Sequence, residues 1–411
     1  MANFLWPGDV RAGDLFTDES FLAAMIAVEE AWLDALAASG IAPATVAKLD
    51  LQSMVKPFHR EWLDNEAEAT GNPAAALVEL LRDGLKDQNV HGARWLHRGL
   101  TSQDVVDTAL MLCAGDAIDE VVSELRRQIA SLAELVERHR RTPMVARTLT
   151  QHAVPTTFGL KVAGWLTGVL DAYDATAALV LPVQVGGAAG TLAATVELAG
   201  DLDDPVGAAT ALSLELATAL GLTASTPWHT TRSTVTRLGD AATGCTDAWG
   251  RIATDVLTLS RPEIGELAEG AGGTSSTMPH KANPVLATLV RRTALSCPSL
   301  DATLHVAAAD AGDERPAGAW HAEWDTLRTL LRRTVVAAGQ TTELLAGLEV
   351  RADRMAATLE AASDAVRSEQ RAMADLAGRT PSGDYVGAAD AFIEAPLARA
   401  AGVLALSLIH I

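Results

Sequence analysis

The residues best suited to chemistry lie in one segment, 272–284, which is bounded by glycines and prolines. It reads Gly-Gly-Thr-Ser-Ser-Thr-Met-Pro-His-Lys-Ala-Asn-Pro, so hydroxyls, a lysine and an amide lie within a few residues of one another. The glycines let the backbone move, and the prolines fix the end of the segment. Such a loop can carry a base over a bound anion and then exclude water. We therefore treat residues 270–284 as the candidate catalytic loop.

Two further polar segments come directly before predicted helices. The first, residues 97–104, contains Thr101, Ser102 and Asp104. Thr101 and Asp104 have the spacing of a capping box, although a helix N-terminus with two hydroxyls can also receive a carboxylate. The second segment, residues 147–159, is explained on its own as a capped loop between helices.

The elements that must position these segments are predicted to be helical. Alanine and leucine dominate, aromatic residues make up 4% of the chain, and apolar residues recur at helical spacing. Helices are predicted over residues 20–39, 105–141, 155–181, 205–220, 230–260, 284–309 and 320–345, with shorter helical pieces up to about residue 90.

Long helices without coiled-coil heptads predict a bundle, and such helices can form a core shared between subunits. We expect an N-terminal helical domain (1–95), a central bundle (96–346) and a C-terminal helical domain (347–411). The last residues, 406–411, fit no amphipathic pattern and are interpreted as a sequencing or expression scar that shortens the C-terminal domain.

Composition excludes several classes of partner. Acidic residues outnumber basic ones by 52 to 32, which gives a formal charge of −20 and disfavours binding to nucleic acid or anionic membranes. The three cysteines are far apart, and no metal-binding spacing is present, so we expect no disulfide framework, no metal and no cofactor. Without a recognisable signal peptide or membrane-spanning run, the chain is expected to be soluble and cytoplasmic.

Together the three segments resemble the fumarase/aspartase superfamily, whose members add or eliminate across a carbon–carbon bond next to a carboxylate. The resemblance extends from about Leu15 to Ile393, and Thr274 occupies a position where glycine is usual. The matching residues are Ser275, Ser276, Met278, Pro279, Lys281, Asn283 and Pro284 in the loop; Thr101, Ser102, Gln103, Asp104, Asp107 and Thr108 in the first segment; and Arg147, Thr148, Gln151, Pro155, Thr156 and Thr157 in the second.

The resemblance implies an all-α, three-domain fold with a long-helix bundle shared in a homotetramer. It also implies that Thr101, Gln151 and Ser275 reach each active site from different subunits. Ser275 would be the base that removes a proton next to a carboxylate, and Lys281 would favour its alkoxide form.

The remaining matched residues would hold the substrate. Lys281 and Asn283 would stabilise the dianionic aci-carboxylate that forms as the proton leaves. Thr101, Ser102, Gln151 and Met278 are assigned to substrate binding by the same resemblance. Ser276 could be either a structural hydroxyl or a substrate contact.

Two departures from the superfamily pattern bear on the reaction. Members that expel an amine or hydroxide carry a histidine where this chain has Leu149, and another where it has Asn72. Amines and hydroxide need a proton donor in order to leave. A carboxylate, whose conjugate acid has a pKa of about 4, does not need one, and nor does nitrite.

The chain resembles one subgroup in particular, 3-carboxy-cis,cis-muconate cycloisomerase, which forms a lactone in aromatic degradation through beta-ketoadipate. The similar segments are residues 151–152, 158–164, 186–191, 314–316 and 320–324. The substrate of that subgroup has three carboxylates, so we expect Lys281, Arg315 and Arg147 to converge on it. His152 could donate a further hydrogen bond to a substrate carboxylate. Trp320 and Trp324, four residues apart on one helix, are expected in the core.

The sequence also permits other functions. One is a lyase of the same superfamily that expels a weakly basic group such as nitrite from a dicarboxylate, as nitrosuccinate lyase does. An adenylosuccinate lyase-like activity is less favoured because of Leu149. A catalytically inactive helical scaffold would have no need of Ser275, Lys281 and Asn283 together.

Overall fold

The computed structural model describes residues 3–270, 273–274, 278, 281–381 and 383–406. The helices are α1 (Asp18–Ala38), α2 (Arg60–Thr70), α3 (Pro73–Leu85), α4 (Val90–Trp95), α5 (Ser102–Arg138), α6 (Phe158–Ala177), α7 (Ala193–Leu198), α8 (Pro205–Leu220), α9 (Ser233–Leu259), α10 (Val285–Ala309), α11 (Ala319–Ala346), α12 (Ala352–Ala361), α13 (Ser363–Val366), α14 (Ser368–Leu376) and α15 (Ala389–Leu406). The strands are β1 (Pro143–Thr148), β2 (Gln151–Thr157), β3 (Leu267–Glu269), β4 (Gly273–Thr274), β5 (Ala282–Asn283) and β6 (Leu348–Val350).

Five long helices form the centre of the structure. Helix α9 contacts α6, α10 and α11, while α5 contacts α6 and α11. Their facing side chains belong to one continuous hydrophobic core, in which Trp165 and Trp249 are almost completely buried. The predicted mostly helical fold with a central long-helix bundle is therefore confirmed.

A buried amide joins three of the bundle helices. Gln128 of α5 accepts a hydrogen bond from Trp249 Nε1 of α9 (2.7 Å) and donates one to the carbonyl of Ala338 in α11 (3.0 Å). A buried amide without partners would destabilise the fold, so these bonds favour one register of the three helices.

Local sequence signals set several helix starts. Asn72 and Asp204 each accept a hydrogen bond from a backbone N–H of the first turn, and each precedes a proline at the first helical position. Proline suits that position because its missing N–H would have had no helical partner. The predicted helix 205–220 agrees with α8 at both ends.

The segment between α5 and α6 differs from the prediction. The expected helix from Pro155 begins at Phe158, because residues 143–157 form an antiparallel hairpin of β1 and β2. Its two-residue turn, Leu149 and Thr150, has positive φ at both positions (47° and 70°), as in a type I′ turn.

The terminal parts of the chain pack onto the bundle. Helix α1 contacts α5 and α8, and α15 contacts α6 and α5. Arg140, just after α5, pairs with Asp390 and Glu394 of α15. The proposed division into domains at residues 95 and 346 stays a prediction. No helix among the described residues is both long and apolar enough to cross a membrane.

A charged hydrogen bond holds the segment that leads into α5. His97 Nδ1 lies 2.6 Å from Oε1 of Glu29, a fully buried carboxylate of α1. Burial disfavours the charged imidazole, but the attraction of Glu29 and its hydrogen bond outweigh this, and the pKa of His97 is raised. Arg82 opposes the rise and Asp104 supports it.

Gly159→Ala should destabilise the protein by about 1–3 kcal/mol, because the added Cβ would lie 2.6 Å from Arg140 Cα and 2.8 Å from the His139 carbonyl oxygen. Gly164→Ala in the same helix is the matched control, since no atom lies within 4 Å of its added Cβ. Alanine there should be neutral or stabilising by up to about 1 kcal/mol. Urea unfolding measures both, and equal effects would contradict the packing at Gly159.

His97→Asn should lower the free energy of unfolding by about 1.5–3 kcal/mol at pH 6, where the wild-type imidazole is charged. Asparagine is chosen because residue 97 has a positive φ of 61°. A raised folded-state pKa gives stability that is present below the unfolded pKa of about 6.5 and is lost as pH rises through the folded value. The difference between wild type and variant should therefore shrink towards pH 9. A difference in unfolding free energy that does not change with pH would show that His97 is neutral in the fold.

Candidate active site

The candidate catalytic loop is closed at its base by a short ladder. Gly273 pairs with Asn283 and Thr274 with Ala282, which brings together the two chain segments that enter and leave the loop. The Lys281 side chain is exposed and Asn283 is half-buried. The backbone N–H of Lys281 donates to the Met278 carbonyl (3.0 Å), and the Met278 side chain is 41% exposed. The predicted residues Ser275 and Ser276 lie outside the described residues.

A buried carboxylate occupies the start of the helix that follows the loop. Glu269 of β3 accepts hydrogen bonds from the backbone N–H groups of Leu286 (2.8 Å) and Ala287 (3.2 Å) in the first turn of α10. The protein itself therefore uses these N–H groups, which a substrate anion could otherwise have taken. Glu269 also fixes α10 to the strand that precedes the loop.

The hairpin projects the residues of the second segment from the chain. Leu149 is 96% exposed, and Gln151 and His152 are also exposed. Because Gln151 and His152 are consecutive residues of β2, their side chains face opposite sides of the hairpin. His152 lines a pocket with Lys161 of α6 and residues of α9 and α12. The structure thus separates two candidates that the sequence places side by side.

Arg147 already has a partner within the chain. Its guanidinium donates to both oxygens of Glu266, at 2.8 and 2.9 Å, and this carboxylate is fully buried. Such a bidentate pair neutralises the arginine and fixes its plane. Within this chain the pair ties the hairpin to the segment before β3, and the convergence of Arg147 on the substrate with Lys281 and Arg315 stays a prediction.

The first segment begins the longest helix. Thr101 is the N-cap of α5, and its backbone N–H donates to Asp104 Oδ2 (2.9 Å), so this half of the predicted capping box is confirmed. Ser102 is the first helical residue and is half-buried. The guanidinium of Arg315, which precedes α11, donates to the Thr101 hydroxyl. Two predicted binding residues, Thr101 and Arg315, are thus brought together.

The described parts of the three segments do not all meet within one chain. Thr101 and Arg315 lie where α5 and α11 begin, and we call this the Thr101 end of the bundle. The hairpin follows the C-terminus of α5, and β3, which leads into the catalytic loop, pairs with β6 directly after α11. These elements form the loop end. Helix α5 has 37 residues, so the two ends are roughly 55 Å apart.

Several residues that organise the site escape prediction from sequence. Glu266, His229, Arg232 and Glu323 are buried and carry the contacts that hold the predicted residues. The local sequence around each of them does not reveal its partner, which lies far away in the chain. Trp320, predicted for the core, is 2% exposed and donates from Nε1 to Asp107 (2.9 Å).

Asn72, which stands where related lyases have a histidine, serves as a helix cap in this structure. The Asn72 carboxamide oxygen accepts from the Ala75 N–H (3.1 Å), so this residue caps α3.

Among the described residues, Asp240, Asp301 and His305 place potential ligand atoms within 4.8 Å of one another. His305 Nε2 already lies 3.2 Å from Asp240 Oδ1, and both residues are more than half exposed. The contact between these two exposed side chains accounts for this group without a metal ion.

Comparison with known proteins gives consistent results. A family model described as lyase matches residues 12–297. The chain is 44% identical to a nitrosuccinate lyase of Streptomyces davaonensis, over 88% of this chain and 78% of the relative. It is 37% identical to a 3-carboxy-cis,cis-muconate cycloisomerase of Bradyrhizobium diazoefficiens, over 90% and 82%. The structure of the 3-carboxy-cis,cis-muconate lactonizing enzyme of Pseudomonas putida superimposes with a TM-score of 0.79 at 27% identity, covering 95% of this chain and 97% of that one.

The relatives named as enzymes act as lyases or cycloisomerases, and the matched fold is the long-helix bundle described above. The helical segments, the loop signature and the family match all point to the same group. The chain is therefore an enzyme that belongs to the lyase family of the fumarase/aspartase superfamily.

Proposed function

We propose that this enzyme eliminates a weakly basic anion from a carboxylate substrate, and that nitrosuccinate, which would yield fumarate and nitrite, is the first candidate. The observation that carries the reaction class is Leu149 at the tip of the hairpin, where related amine and hydroxide lyases have a histidine. An apolar side chain cannot donate a proton, so the leaving group must depart as a stable anion.

In the proposed step, Ser275 takes the proton from the carbon next to one carboxylate. The electron pair of that C–H bond forms the new carbon–carbon double bond, and the pair of the C–N bond leaves with nitrite. Lys281 and Asn283 stabilise the negative charge that develops on the carboxylate. Ser276, Met278, Thr101, Ser102 and Gln151 would line the same site.

Two observations favour nitrosuccinate over a tricarboxylate. The nitrosuccinate lyase relative is 44% identical, whereas the cycloisomerase relatives are 33–37% identical. Glu266 neutralises Arg147, which leaves Lys281 and Arg315 as the predicted cations for a substrate with two carboxylates. The His152 side chain, on the pocket side of the hairpin, is not required in this scheme.

The second candidate is the lactonising cycloisomerase. It is favoured by four such relatives and by similarity to two solved structures of that enzyme over at least 95% of this chain. Its reverse reaction also expels a weakly basic carboxylate, so Leu149 suits both candidates. With this second function, the enzyme would act in the cytoplasm, in aromatic degradation through beta-ketoadipate.

We further propose that the active enzyme is a homotetramer with sites shared between subunits. The distance between the Thr101 end and the loop end supports this arrangement, since one chain cannot bring Arg315 and Lys281 to the same substrate. Helix α10, which separates Lys281 from Arg315 in the chain, has 25 residues and spans roughly 38 Å, and a helix of this length does not bend enough to bring its two ends together.

The purified enzyme should release nitrite and fumarate from nitrosuccinate, with kcat/KM at least about 10³-fold above that for malate or aspartate, whose leaving groups need an acid. Nitrite is measured colorimetrically and fumarate by ultraviolet absorbance. Loss of the diene absorbance of carboxymuconate tests the second candidate in parallel. Comparable turnover of malate or aspartate would contradict the proposed reaction class.

Mixing inactive Ser275→Ala and Arg315→Ala proteins, with subunit exchange by mild unfolding and refolding, should restore about one quarter of wild-type activity. A site that takes these two residues from different chains has both intact in that fraction of random combinations. Mixing Ser275→Ala with a Ser275→Ala/Arg315→Ala double variant is the control and should restore none. Equal inactivity of both mixtures would place the two residues of each site in one chain.

A further inference from the structure

A group of buried ionisable side chains lies directly beneath Thr101. Asp104, Asp107, His229, Arg232 and Glu323 are each at most 6% exposed. Among the described residues, this group contacts the proposed binding residue Thr101 through its backbone N–H, which donates to Asp104. Charges are rarely buried without close partners, so this group must serve to hold something in place.

Asp104 collects hydrogen bonds from three separate segments. Besides the Thr101 N–H, it accepts from the backbone N–H groups of Gly186 (3.0 Å) and Gly187 (2.9 Å). It also accepts from Gln184 Nε2 (3.2 Å) and His229 Nε2 (2.9 Å). The glycine-rich segment that begins at Gly186 therefore folds around this carboxylate, and a Cβ on Gly186 would lie 2.5 Å from the His229 ring.

One turn further along α5, Asp107 belongs to a second part of the group. It accepts from both terminal nitrogens of Arg232 (2.7 and 3.1 Å) and from Trp320 Nε1. The opposite side of the Arg232 guanidinium donates to Glu323 of α11, at 2.5–3.1 Å. Gln103 Nε2 donates to Asp107 (3.2 Å) and to the His229 carbonyl (2.9 Å), which joins the two parts.

Arg232 thus connects the beginnings of three helices. It is the N-cap residue of α9, Asp107 lies in the second turn of α5, and Glu323 lies in the second turn of α11. Arg315 comes four residues before α11, and Thr101 comes one residue before α5. Any rotation or shift between these helices would therefore separate the Arg315 guanidinium from the Thr101 hydroxyl.

We propose that Arg232 is a positioning residue for substrate binding: by clamping Asp107 and Glu323 it sets the Arg315–Thr101 pair that receives a substrate carboxylate. This inference rests on the proposed function. The planar guanidinium of Arg232 makes paired hydrogen bonds to two carboxylates at once. A lysine ammonium lacks this planar fork and cannot make such paired bonds. The clamp places one guanidinium between two carboxyl groups in a site closed to solvent, so its donors are already occupied and it cannot itself bind the anionic substrate.

Arg232→Lys should raise KM for nitrosuccinate by about tenfold or more, because a small misplacement of binding groups is costly, while kcat changes much less. Glu323→Gln, which keeps the side-chain shape, is the milder second variant. Arg332→Lys is the matched control: Arg332 pairs with Asp9 at 2.9 Å, both side chains are at most 11% exposed, and neither residue belongs to the site. The control should leave KM unchanged.

A double-mutant cycle separates positioning from general stability. If Arg232 acts through Arg315, the KM effects of Arg232→Lys and Arg315→Ala should be strongly non-additive. Additive effects, or a fall in kcat with unchanged KM, would overturn the proposal. If Arg232→Lys does not fold, Glu323→Gln carries the same cycle.

Hydrogen–deuterium exchange tests the clamp without any substrate. Arg232→Lys or Glu323→Gln should speed exchange in residues 97–104 and 310–318 together, and Arg332→Lys should speed it in neither. A response confined to one segment, or absent from both, would show that the clamp does not couple them. Should the wild type turn over neither nitrosuccinate nor carboxymuconate, the proposed function fails, and this exchange result still decides the positioning role.

Discussion

The length of the bundle helices constrains everything else in this structure. Helix α5 alone spans roughly 55 Å, with Thr101 at one end and the hairpin beyond the other. The residues proposed to share a substrate are thus fixed at opposite ends of a rigid rod. The same helices that separate them within a chain can bring them together between chains, because antiparallel neighbours place one end beside the other. Stability and site assembly therefore depend on the same elements.

At each end, buried carboxylates of the protein hold the functional segments. Glu266 and Glu269 hold the hairpin and the start of α10 at the loop end, while Asp104 and Asp107 do the same at the Thr101 end. Each carboxylate takes donors that a substrate anion could otherwise have bound. In the proposed reaction, recognition of the anionic substrate is thus left to exposed cations such as Lys281 and Arg315, within a chain whose formal charge is −20.

How much the sequence reveals depends on how local the deciding interaction is. Both ends of helix α8 are predicted because the deciding signals are local. Asp204 and Pro205 act on the first turn of the helix, and Gly221 ends the last turn. The hairpin is missed because its turn contains Leu149 and Thr150 where glycine or asparagine would be the usual signal.

The partners of buried charged residues are even harder to predict from the sequence. Arg147 and Glu266 are 119 residues apart in the chain, and Arg232 lies 125 residues from Asp107 and 91 from Glu323. A local pattern can show that a charge is unusual but not what pairs with it. The candidate catalytic loop is recognisable in the sequence because its functional groups are contiguous, whereas the groups that hold the Thr101 end are assembled only by the fold.

The turn at Leu149 links this geometry to the proposed chemistry. A non-glycine residue with positive φ is strained, and an almost fully exposed leucine gains nothing from burial, so both features disfavour this turn in an isolated chain. In a shared site the tip would be covered by another subunit, and its burial would offset the strain. An apolar tip at that position excludes water and donates no proton. In the proposed reaction, the rate enhancement therefore depends on the base and on stabilisation of the carboxylate anion. Both are supplied by the candidate catalytic loop and the cations near it.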